Sequence, residues 1–86
     1  MISVKKINAT TFEVAVDNGT QTTHIVTLST QYYQKLTNGQ ATPEELIRKS
    51  FEFLLEREPN TSILRSFDLP VIRNYFPEYE GKMMRG

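Results

Sequence analysis

The sequence predicts an α+β domain, a three-stranded antiparallel meander followed by three to four helices packed on one sheet face. Three observations carry this prediction. Apolar and polar residues alternate through residues 2–29, a complete helix start opens at Thr42, and prolines punctuate an apolar section after Glu58.

Ile2 and Val4 alternate with Ser3 and Lys5, which predicts an edge strand from Ile2 to Ile7 with its lysines at the sheet margin. Thr11 to Asp17 alternates more cleanly, with Phe12, Val14 and Val16 on one face. Asn8-Ala9-Thr10 supplies a short turn, and Asp17-Asn18-Gly19-Thr20 a tight one, because Asn and Gly accept the positive φ that hairpins need. The returning strand, Thr22 to Ser29, places His24, Val26 and Leu28 on one side. The apolar face of this meander needs a cover.

Ser29 or Thr30 caps a short helix through Leu36, stopped by Thr37-Asn38-Gly39. The central helix follows. Thr42 caps it, Pro43 occupies its first position, and Glu45 completes a capping box. Glu44, Glu45, Arg48, Lys49, Glu52 and Glu56 share an arc of about 140°, with Glu44/Arg48 and Glu45/Lys49 spaced for pairing. Leu46, Ile47, Ser50, Phe51, Phe53, Leu54 and Leu55 fill the remaining arc of about 200°, twice the width an ordinary surface helix needs. Such an arc requires either cover on two sides within the chain or a partner molecule. Pro59 ends the helix.

Asn60 or Thr61 caps a single turn carrying Ile63, Leu64 and Phe67, and Asp68 caps another carrying Leu69, Val71, Ile72, Tyr75 and Phe76, ending at Pro77. These apolar residues must dock back. A single domain over residues 1–79 is expected, with 80–86 a disordered tail. The run Ser50-Phe51-Glu52-Phe53-Leu54-Leu55-Glu56-Arg57-Glu58-Pro59, with Ser62-Ile63-Leu64, Phe67-Asp68-Leu69 and Tyr75-Phe76-Pro77-Glu78-Tyr79, resembles the closing section of a group of short, uncharacterised prokaryotic proteins. That resemblance covers less than half of the chain. It implies a recurring helical unit and carries no activity, ligand or catalytic residue.

Ten basic and ten acidic residues cancel, so no strong attraction to nucleic acid or anionic membrane is advertised. Cysteine is absent, and the N-terminus lacks a signal-peptide core, which together predict a cytoplasmic protein. The Asn-x-Ser/Thr triplets at Asn8, Asn18 and Asn60 then have no role as glycan sites.

Chemistry has little to build on. His24, the single histidine, has no neighbouring ligand set or nucleophile and reads as a surface or sheet-packing residue whose replacement by Ala costs far less than Phe51→Ala. Glu13 and Asp17 on one strand read as a solvated edge, and the isolated glycines form no phosphate loop. No catalytic, cofactor or metal residue is assigned, no small-molecule ligand is expected, and the protein reads as non-enzymatic. The leading expectation is a protein–protein interaction module, self-associating or heterologous, using the excess helix arc and the aromatic residues Tyr32, Tyr33, Phe53, Tyr75 and Tyr79. The alternative is a nucleic-acid-associated regulator using Arg57, Arg65 and Arg73 around two short helices that mimic a helix-turn-helix.

Overall fold

The computed structural model describes residues 1–85. Strands β1 (Ile2–Asn8), β2 (Thr11–Asp17), β3 (Gln21–Thr27) and β4 (Ser66–Asp68) form one sheet in the order β1-β2-β3-β4. Helices α1 (Thr30–Thr37) and α2 (Pro43–Leu55) precede β4, and α3 (Ile72–Tyr75) and α4 (Tyr79–Met84) follow it. The fold is therefore α+β, but the sheet is mixed.

The meander forms as its alternation dictates. Phe12 pairs with Val26, Val14 with His24 and Val16 with Thr22, so these side chains lie on one buried face while Thr23 and Ile25 point the other way. Asn8 turns the first hairpin by accepting the Thr10 N–H at 3.0 Å. Gly19 turns the second with φ of 91°, a value that disfavours any side chain. Both helix starts are built as expected. Ser29 accepts from the Tyr32 N–H at 3.1 Å, and Thr42 and Glu45 exchange the two bonds of the capping box at 3.1 and 2.8 Å. Asn38 takes the left-handed position that closes α1.

Three expectations are revised. The meander is not the whole sheet, because β4 adds a fourth strand parallel to β3, Ile25 opposite Ser66 and Thr27 opposite Asp68. α2 ends at Leu55 rather than running to Pro59, with the Arg57 N–H tightening onto the Leu54 carbonyl at 2.9 Å. Residues 80–84, expected within a disordered tail, are helical. They continue α4, which Tyr79, fully buried, pins to the core; Gly86 lies outside the described residues.

The wide arc of α2 is covered from two sides within the chain. Phe51 meets the His24 ring at 5.4 Å and the Phe67 ring at 6.1 Å, which is the sheet side. Phe53 meets the Phe76 and Tyr79 rings edge-on at 5.9 and 5.4 Å, which is the C-terminal side. Leu46, Ile47, Phe51, Phe53 and Leu54 are all at most 4% exposed. Each such burial stabilises the fold by about 1.5–3 kcal/mol, and the C-terminal segment adds Ile63, Leu69, Ile72 and Tyr79 to the same core. On the solvated arc, Arg48 donates to the Ile2 carbonyl and not to Glu44.

Candidate functional site

Burial removes most of the expected interaction surface. Tyr32 is buried and donates its hydroxyl to Glu80 at 2.8 Å, and Tyr33 is half-buried with its hydroxyl on the Ala41 carbonyl. Phe53 and Tyr79 belong to the core. Ser50 sends its hydroxyl proton to the Leu46 carbonyl at 2.8 Å, which leaves the Tyr79 hydroxyl to donate to Ser50 at 2.6 Å. Desolvation pushes the Tyr32 and Tyr79 hydroxyls far above the usual phenol range. Tyr75 alone of the five is a surface residue, at 65% exposure.

Two of the three arginines of the nucleic-acid alternative are engaged within the chain. Arg57 lies 3.6 Å over the Phe53 ring and bonds Glu78, Glu56 and the Phe53 carbonyl. Arg73 pairs with Glu80 at 3.0 Å. Of the three, Arg65 alone is exposed and has no ion pair among the described residues. Of the two short helices expected there, the first is replaced by a single turn at Asn60–Ser62 and by β4, while the second forms as a turn at Leu69–Val71 leading into α3.

His24 is a structural residue. It is fully buried, its Nδ1–H donates to the Leu64 carbonyl at 2.7 Å, and its Nε2 bonds the Thr22 hydroxyl at 2.8 Å. Thr22 in turn accepts from the Asn60 amide at 2.9 Å, and that amide also donates to the Thr20 carbonyl at 2.7 Å. The chain of bonds ties the segment after Pro59 to β3. Among the described residues, no three His, Cys, Asp or Glu side chains converge as a metal site.

What the same segment leaves open is a cleft of about 150 Å³. Its floor is Leu54 from α2 with Ile63 and Ile72, all buried, and its walls are Leu64, Phe67, Val71, Tyr75 and Phe76. The cleft exists because the segment turns alternate apolar residues in opposite directions. Ile63 points inward at 5% exposure, while Leu64, whose backbone is held by His24, points outward at 46%. Glu58 and Ser62 are its polar lining residues. Burial pushes the Glu58 carboxyl above the ordinary carboxylate value, and no cation lies within ion-pairing distance of it among the described residues.

A second hollow, of about 320 Å³ between α1, α2 and α4, mixes apolar Leu36, Leu46 and Met83 with polar Thr37, Gln40 and Lys49. Leu64, Phe67 and Val71 were not singled out from the sequence as site residues. The only available signal was the surplus of apolar residues between Ile63 and Phe76. Among the described residues no helix is long and apolar enough to cross a membrane. No family model matches the chain, and no curated protein or solved structure is significantly similar to it.

Proposed function

We propose that this chain is a small, non-enzymatic, cytoplasmic binding module that engages a protein partner through the cleft between the end of α2 and residues 62–76. The observation that supports this reading is the exposure of Leu64 and Tyr75, 46% and 65%, on the walls of an apolar cleft. Large apolar side chains grouped around a concavity are what a partner covers, and a tyrosine at the rim offers both a flat apolar face and a hydroxyl. The same reading has the helices cover one face of the sheet, that of Phe12, Val14, Val16 and Val26, as the alternating burial of β2 and β3 suggests. The contact surface then sits at the β4 end.

Parallel affinity captures from native cell extract, with the wild-type chain and with a folded Leu64→Asp variant, test the proposal. A protein retained by the wild type and lost from the variant is the expected outcome. Equal retention by both contradicts it.

A further inference from the structure

We propose that the occupant of this cleft is a second copy of the chain, related by a two-fold axis, so that Leu64 of each copy enters the cleft of the other and Arg65 pairs with Glu58 across the interface. This rests on the reading of the cleft as the binding surface. Size limits the occupant first. A space of about 150 Å³ lined by aliphatic and aromatic side chains holds a benzene-sized group, whereas drug-sized ligands and cofactors need about 300 Å³ or more. One bulky apolar side chain fits.

Charge limits it next. Among the described residues, Glu58 is the only charged one lining the cleft. Glu56 and Glu78 are occupied by Arg57, and Glu80 by Arg73 and Lys35. Glu58 is half-buried beside apolar walls with no such partner among the described residues, so the complementary occupant carries an apolar side chain next to a cation. Leu64-Arg65 is such a pair and, unlike Lys6-Ile7 and Met84-Arg85, it stands at the rim of the cleft itself. Leu64 is exposed, Arg65 follows it directly, and the Arg65 guanidinium makes no ion pair among the described residues.

Geometry makes the pairing reciprocal. Leu64 stands on the wall of the very cleft that Glu58 lines, so an axis passing beside Leu64 presents each donor element to the other copy's acceptor element, as an isologous contact requires. A net charge of zero imposes no mutual repulsion. Tyr75, exposed on the same rim, lies against the second copy in this arrangement.

Sedimentation equilibrium of the full chain over a wide concentration range, at low and high salt, tests the inference. We expect a reversible monomer–dimer equilibrium whose Kd rises about tenfold for Glu58→Arg and for Arg65→Glu, and returns close to wild type in the double charge swap. Leu64→Asp should raise Kd by at least about thirtyfold. Arg65 is exposed, so its variant is read in a folded chain even where Glu58→Arg perturbs the fold. A monomer at every concentration, or a dimer indifferent to both reversals, overturns the inference. A monomer that still captures a foreign protein in a Leu64-dependent way overturns self-pairing and leaves the cleft as the binding surface; one that captures nothing overturns both.

Discussion

His24 donates from Nδ1 to the backbone carbonyl of Leu64 across 2.7 Å, although 40 residues separate the two in sequence. The bond falls just ahead of β4, beside a second tie to β3, the Ile25 N–H on the Arg65 carbonyl at 2.8 Å. It thereby sets the register of the parallel pair and turns the Leu64 side chain outward.

His24→Ala is therefore expected to cost about 2–4 kcal/mol, because it leaves the Leu64 carbonyl and the Thr22 hydroxyl short of partners in the core and opens a cavity against Phe51. That is close to the roughly 3–5 kcal/mol expected for Phe51→Ala, and it revises the sequence-based expectation of a small loss. Urea unfolding of both variants checks it. A His24→Ala loss below about 1 kcal/mol would show that the network carries little of the fold's stability.

The difference marks what the sequence could disclose. The meander and α2 were legible because their signals are local: alternation, Asn-Gly turns and a capping box. β4 was not, since Ser66-Phe67-Asp68 is three residues long and has meaning only opposite Ile25–Thr27. α4 was hidden for a related reason. Its anchors, Tyr79 on Ser50 and Glu80 on Tyr32, are contacts with residues 29 and 48 positions away. The cleft was invisible because it depends on which of Ile63, Leu64, Ile72 and Tyr75 face inward, and composition does not sort them.

Tyr79 is the latch that holds α4. Tyr79→Phe should cost about 1 kcal/mol, since Ser50 keeps its bond to the Leu46 carbonyl, whereas Tyr79→Ala should cost about 3–5 kcal/mol and release the helix. Amide hydrogen exchange reads the distinction. Protection of residues 79–84 should survive in the first variant and vanish in the second.

Acid should loosen the same helix. The Tyr32 hydroxyl, then Arg73 and Lys35, hold the Glu80 carboxyl below the ordinary carboxylate value. Its folded value lies below its unfolded one, so the stabilisation is present above about pH 4.3 and is lost as pH falls through the folded value. Thermal melts of wild type and Glu80→Gln should differ most at neutral pH and converge in strong acid. A gap independent of pH would contradict the assignment.

Glu58 has the opposite sign. Burial raises its carboxyl in the folded chain, so its favourable contribution belongs to acid pH and is lost as pH rises through the folded value. At dilutions where the chain is monomeric, Glu58→Gln should raise the melting temperature slightly at neutral pH and bring no gain below about pH 4. Destabilisation at neutral pH would mean that Glu58 has an intramolecular partner.

The covering of α2 from two sides within one chain underlies both the stability and the cleft. Nuclear Overhauser contacts among aromatic rings test it most directly. Phe51 should show contacts to His24 and Phe67, and Phe53 to Phe76 and Tyr79, in dilute monomeric protein. Loss of the Phe53 set, with Phe51 contacts kept, would leave half of the helix arc uncovered by its own chain and contradict the account.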